Sequence, residues 1–351
     1  MSYAQKWDPS SQILEHISDA HEFHFFTLNR KPVTIPLPVI LYSKDKGWSA
    51  FMSSRFEHGE VAYDGYRLVE ESYVTEHHLD PNVFKAGKIY AVDGRGLPRS
   101  YTAAKVYDLS LTRNAVQVII SVLLLIWIMS GVGGKYKKGH GVKTAPTGFQ
   151  NAVEPVVTFI RDEVGVVNLG DRHEKFMPLL LSIFFFILTN SLLSLIPGTA
   201  NVAGNIAFTG MLGIVAFFVI MFSTNKHYWL HIIWPPVPHG VKPIMWPVEL
   251  LGIFTKPFAL IIRLFANMIS GHVIILSFII LIFVFGAMNT ALGWGTSPFF
   301  IALAVFIYLI EILVAFIQAY IFAALTAVFI GMASEGGHGD HGGEHEDAVM
   351  I

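Results

Sequence analysis

Apolar positions fall into two regimes along the chain. Residues 1 to about 112 alternate short apolar runs with Gly, Asp and Pro turns, whereas beyond them the apolar runs become long and nearly unbroken. A bilayer core needs about 20 apolar residues of helix. Five stretches qualify: 115–133, 176–196, 206–224, roughly 248–288 and roughly 298–333. The last two are too long for one perpendicular crossing. A helix of about 41 residues would be about 60 Å long, twice the hydrocarbon thickness, so it must tilt steeply, kink or lie partly in the plane. Pro257 offers a kink point. The pattern predicts an all-α polytopic membrane protein with five membrane-crossing helical segments, the last two long and strongly tilted. Its parts are an N-terminal extramembrane domain (1–112), a membrane domain (113–335) and a tail (336–351).

The N-terminal region carries extended signals at 23–28 (FHFFTL), 33–42 (VTIPLPVILY) and 88–92 (KIYAV), which predict a small β-rich domain. Its histidines, among them His21, His24, His77 and His78, match no strong ligand spacing and read as ordinary surface residues. Between the first two spans, Phe149, Val153, Val156, Val157 and Ile160 recur at helical spacing beside Gln150, Glu154, Arg161 and Asp162, as in a helix lying on a membrane surface. Residues 225–247 mix Trp and Tyr with prolines and suit an interfacial loop. The Gly- and His-rich tail has no apolar face, so disorder is expected there.

Composition agrees with the pattern. The chain is 53% hydrophobic and 14% charged, against about a quarter charged in a soluble domain. A net charge of −2 gives no argument for nucleic-acid binding, and the absence of cysteine excludes disulfides, thiol nucleophiles and Cys-based metal centres. Loop charge predicts orientation. Lys135, Lys137, Lys138, Lys143, Arg161, Arg172 and Lys175 lie between the first two spans, and Lys226 and Lys242 between the third and fourth, while 197–205 and 289–297 hold no Lys or Arg. The positive-inside rule then places the N-terminus outside and the C-terminus in the cytoplasm. The start, MSYAQKWDPSSQ, has neither the basic nor the apolar region of an export signal. An outer N-terminal domain therefore implies a removed signal, an earlier start, or translocation driven by the first span.

Charges inside membrane spans are costly and mark function by default. Glu249, Lys256, Arg263 and His272 lie on the fourth stretch and Glu311 on the fifth, with Asn267 and Gln318 as polar companions. Lys256 and Glu249 are near enough to a helix end to snorkel. Arg263, between ALII and LFA, is not. At 100° per residue Asn267 falls about 40° and Ser270 about 20° from Arg263, whereas His272 falls about 180° away. One helix thus presents a cation to one neighbour and an imidazole to another. Small residues Ala266, Ser270 and Gly271 would let a helix approach closely.

The run KPFALIIRLFANMISGH (256–272) followed by EILVAFIQAYIFAALTAVFIGMASE (311–335) resembles the signature region of subunit a of F-type ATP synthases. The upstream segments PTGFQNAVEPVVTFIRDEV and MPLLLSIFFFILTNSLLSLIPG are similar to that family too, so the resemblance covers about 107–335. It implies a non-catalytic stator subunit of the bacterial inner membrane that supplies two proton half-channels, with c-ring subunits, peripheral-stalk b subunits and the rest of the complex as partners and no cofactor. Arg263 matches the family's essential arginine, which faces the c-ring carboxylate and stops protons from short-circuiting between half-channels. Asn267 and Gln318 match polar residues beside it, His272 and Glu311 a pair of extracytoplasmic relay positions, and Glu249 an acidic position on the cytoplasmic side. Ser270 and Gly271 accompany them on the same helix. Ser194 stands where some bacterial relatives have an aspartate.

Physical chemistry supports the carried-over roles. A carboxylate entering lipid must be protonated, whereas opposite a fixed guanidinium it is stabilised as the anion. Arginine suits the post because it does not deprotonate in proteins. A histidine relay favours protons over sodium ions. Two rival readings are a secondary transporter or stand-alone proton channel with an accessory outer domain, and a membrane-anchored binding protein. The first predicts related halves, and no internal repeat is visible; the second leaves Arg263, His272 and Glu311 unexplained.

Overall fold

The computed structural model describes residues 19–28, 31–94, 96–100, 105–139, 144–146, 148–196, 198–222 and 242–335. The tail from 336 and most of the aromatic, proline-rich stretch at 225–247 lie outside them. The chain divides into two compact units. The first comprises 1–133, 186–208 and 264–316, the second 134–185, 209–263 and 317–351.

The N-terminal region belongs to the first unit and is built from strands. β1 (Glu22–Leu28) pairs with β2 (Lys31–Pro36), while β3 (Pro38–Ser43) lies between β4 (Gly47–Met52) and β7 (Val106–Asp108). β5 (Tyr66–Val69) pairs with β6 (Lys88–Ala91), and a short helix α1 (Glu71–Glu76) follows β5. The apolar run at 33–42, which reads as one strand, is two. Pro36 and Pro38 lack the N–H that a ladder needs, so the run breaks at Leu37, which instead donates to the His21 carbonyl at 3.3 Å. Strict alternation in β3 buries Val39 and Leu41, which pack with Phe56, Tyr66, Ile89 and Val106 as a small core.

His21 departs from the surface reading. It is buried, and its Nε2 lies 2.9 Å from Asp108 Oδ2. Burial would raise the Asp108 carboxyl, but hydrogen bonds from His21 and Ser110 outweigh it and hold the group below the usual carboxylate range. The exposed Asp64 carboxyl is likewise lowered, by the Lys46 ammonium bonded to it.

Helix α2 (Arg113–Lys137) follows β7 after four residues. Its first turn is capped from far upstream, for Asp19 Oδ1 accepts the Asn114 N–H at 3.1 Å and the Ala20 carbonyl accepts the Arg113 N–H at 2.8 Å. The junction at Asn289, where helix α6 (Lys242–Met288) passes into α7 (Thr290–Glu335), lies in the same unit. The Asn289 side chain accepts the Ala291 N–H at 2.9 Å. The turn is tight: a Cβ on Gly293 would come within 2.6 Å of the Gly286 backbone. Phe300 closes it, stacking on Phe285 and Phe278 with centroids 5.9 and 6.2 Å apart.

The second unit contains α3 (Phe149–Phe159), which continues through a π-helical stretch (Ile160–Val166) and a short turn toward α4 (His173–Ser194). Its buried face follows the apolar spacing from Val153 onward but departs from it in the first turn. Val153, Ile160 and Val164 are inside, but Gln150 is fully buried and Phe149 is 57% exposed. The wider π turn rotates everything that follows it. In this unit Phe159 packs on Tyr320 and Phe217 on Phe254, with centroids 5.4 and 5.7 Å apart. Gly331 lies directly over the Asn168 carbonyl, a contact open only to glycine.

Among the described residues, four helices are long and apolar enough to cross a membrane: Arg113–Lys137, Phe149–Ser194, Pro257–Met288 and Thr290–Met332. The stretch expected as a fifth span forms α5 (Ile206–Phe222), apolar throughout but 17 residues long, or about 25 Å. Helix α6 starts at Lys242, earlier than the apolar run begins, and runs unbroken past Pro247 and Pro257 for 47 residues, about 70 Å.

Candidate functional site

Helix α6 sorts its residues by face. Leu260, Leu264, Met268, Gly271 and Ile275 are buried at spacings of four, four, three and four, the stripe expected of a helix packed along one side. Arg263, Ala266 and Ser270 are exposed and Asn267 is half-buried. The Ser270 hydroxyl is bonded back to the Asn267 carbonyl at 3.0 Å. Arg263 makes no ion pair among the described residues. A guanidinium on a membrane helix without an internal counter-ion costs roughly 2.5–3.5 kcal/mol or more.

His272 turns the other way and is half-buried. Its Nδ1 lies 3.0 Å from the Met268 carbonyl one turn back, and its Nε2 lies 2.9 Å from the Ser194 carbonyl at the end of α4. Both contacts are with acceptors. A neutral imidazole has one N–H and can satisfy one of them, whereas the protonated ring satisfies both. Which of the two carbonyls a neutral ring serves is set by its tautomer.

Glu311, 6% exposed on α7, lays its carboxyl over the backbone of Gly271, in space that any Cβ there would fill. Its Oε2 has no hydrogen-bond partner among the described residues. His272 and Glu311 are thus brought to adjacent positions, but the imidazole nitrogens face main-chain carbonyls rather than the carboxyl. Gln318, in the second unit, is buried with its Oε1 unsatisfied. The side chains of Glu249 and Lys256 lie outside the described residues.

The structure adds residues that the apolar pattern and the intramembrane charges do not single out. Gln117 on α2 is 3% exposed and uses both ends of its amide: Nε2 donates to Ser194 Oγ at 3.2 Å, and Oε1 accepts the Ala200 N–H at 2.7 Å. The Ser194 hydroxyl donates in turn to the Asn190 carbonyl at 2.8 Å. Asn190 Oδ1 and Ser191 Oγ are buried without partners among the described residues. A signal was available, since Gln117 is the one amide in the apolar run 115–133.

Known proteins resemble the chain over most of its length. Residues 115–331 match the family model described as ATP synthase A chain, and residues 12–109 match a domain of unknown function. The chain is 47% identical over 242 residues to an ATP synthase subunit a of Chloroherpeton thalassium, covering 68% of this chain and 70% of the relative. It is 38% identical over 290 residues to an ATP synthase subunit a of Chlorobium phaeobacteroides, covering 81% of each. A relative of the same description from Myxococcus xanthus is 39% identical over 249 residues, 69% of this chain and 79% of its own.

Proposed function

This chain belongs to the family of ATP synthase subunit a, and from that premise we propose that it forms the two proton half-channels of the stator, with Arg263 as the charge between them. The observation that carries this is Arg263, exposed and without an ion pair among the described residues, on a helix packed along another side. An arginine left open in a membrane is provided for by a carboxylate on another subunit, and the c-ring carries one. Opposite the guanidinium that carboxylate is stabilised as an anion; away from it, in lipid, it must take a proton. The ring then moves only by exchanging protons with one half-channel and the other.

His272 and Glu311, together with the unpartnered oxygens of Asn190 and Ser191, belong in this reading to the extracytoplasmic half-channel. Buried polar atoms lacking protein partners are where water is held. Asn267, Ser270 and Gln318 accompany Arg263, and Glu249 belongs to the cytoplasmic path. In this reading α5 completes five crossings, α6 and α7 tilt to fit their length, and the N-terminal domain lies outside the cytoplasm of a bacterial inner membrane. Peripheral-stalk b subunits complete the surroundings. The transporter reading gains no support, because a stand-alone channel has no use for an exposed, uncompensated arginine. Gentle purification decides between them: c-ring and ATP-hydrolysing subunits should accompany this chain, and their consistent absence from active membranes would refute the stator role.

A further inference from the structure

Ser194 joins two hydrogen-bonded systems. Its carbonyl meets His272 Nε2 at 2.9 Å, and its hydroxyl is held by Gln117 Nε2 at 3.2 Å and by the Asn190 carbonyl at 2.8 Å. Gln117 also fixes the chain beyond α4 through the Ala200 N–H at 2.7 Å, so a single amide bridges α2 to both sides of the segment after Ser194. We propose that Gln117 is a positioning residue of the extracytoplasmic proton path, placing the Ser194 carbonyl where His272 meets it. We further propose that the N-terminal domain fixes Gln117 through the Asp19 cap on α2. The proposal rests on the reading of His272 as part of that path.

Geometry supports both links. Gln117 lies three residues beyond Asn114, about 4.5 Å along the helix axis, so the capped turn is the one from which the amide projects. Asp19 Oδ1 accepts N–H groups from Ala20 at 3.0 Å and Asn114 at 3.1 Å, tying a residue 95 positions upstream to the start of the helix. The amide is buried, so a side chain of the same size without donor and acceptor would leave the Ala200 N–H unsatisfied. Gln117 neither titrates nor touches the imidazole. Of the groups around His272, Glu311 of α7, set against Gly271 of α6, is ionisable; α2 and α4 bring Gln117, Asn190, Ser191 and Ser194, which are not. Any effect of Gln117 on the acid–base behaviour of the path must therefore pass through geometry.

The test uses the whole complex in vesicles, measuring proton-driven ATP synthesis while the pH on the proton-entry side is varied. Gln117→Leu should assemble in normal amount, run about fivefold slower and displace the pH profile by on the order of half a pH unit. Gln117→Glu, which keeps the acceptor for Ala200 but when ionised loses the donor to the Ser194 hydroxyl, should not recover the rate. Asp19→Ala should displace the profile in the same direction, and Asp19→Asn, which keeps the capping oxygen, should not. If Gln117→Leu fails to assemble, Ser194→Ala, which removes the hydroxyl link and spares the carbonyl, should give the displacement instead. A lower rate that merely follows the amount of assembled complex, with the profile unmoved, overturns the proposal. His272→Ala separates the two levels. If it leaves synthesis intact, the reading of the path falls and the positioning role with it; if it abolishes synthesis while Gln117→Leu and Ser194→Ala leave the profile unchanged, only the positioning role is lost.

Discussion

The Glu311 carboxyl occupies the space that a side chain on Gly271 would need. Gly271 sits in the buried stripe of α6, one residue before His272, so the absence of a Cβ there lets an acid on α7 reach the α6 backbone. Gly271→Ala should push the carboxyl out of that seat. The overpacking cost is on the order of 1–3 kcal/mol. Proton-driven ATP synthesis should fall severalfold, and adding Glu311→Asp, shorter by one methylene, should recover part of it. Unchanged synthesis in Gly271→Ala vesicles would show that the seat has no part in proton movement.

Arg263→Ala should abolish coupled synthesis in an assembled complex, because the side chain is exposed and carries no packing within the subunit. Arg263→Lys should fail as well, since an ammonium lacks the guanidinium fork and holds its charge less securely when desolvated. Substantial coupling in either variant, measured with assembly checked in the same membranes, contradicts the assigned role.

Because the chain has no cysteine, single cysteines report topology without background. Ser54→Cys, at an exposed position of the N-terminal domain, should react with an impermeant thiol reagent in intact cells, and Ser334→Cys should react only after permeabilisation. The reverse pattern would invert the orientation.

The N-terminal domain should lose stability in acid through Asp108. Its carboxyl sits below the ordinary value of 3.8 in the fold, so its contribution is complete above that value and is lost as the pH falls through the lowered one. Amide exchange in β3 and β7, followed on the intact protein, should accelerate below about pH 4. Asp108→Asn should exchange faster at neutral pH and show a flatter acid response. An identical acid response in the two proteins would remove Asp108 from that role.

Periodicity makes the membrane helices legible, and it also reveals that Arg263 and His272 face opposite ways, because both features repeat within one helix. Features that depend on distant partners are not legible in the same way. Gly271 is recognisable as a small residue for close approach, yet that Glu311 takes the space depends on how α6 meets α7. His21 reads as a surface histidine until β7 brings Asp108 beside it. The α6 start escapes the pattern since Lys242 to Pro247 are not an apolar run, while in the first turn of α3 Gln150 is buried and Phe149 exposed against expectation. Gln117 stands out in the sequence as an amide among aliphatic residues, but its meaning comes only with Ser194 and Ala200 across the fold.

The Asp19 cap and the pairing of β3 with β7 join residues near the start of the chain to residues 106–114. Such contacts close late, after every intervening residue has been made. Val106 completes the small core, and Asn114 already belongs to the helix that enters the lipid. During synthesis the domain must therefore remain unfinished until its own anchor emerges, and an isolated fragment ending before Arg113 would lack the last strand's continuation and the backbone donors that hold residues 19 and 20 in place.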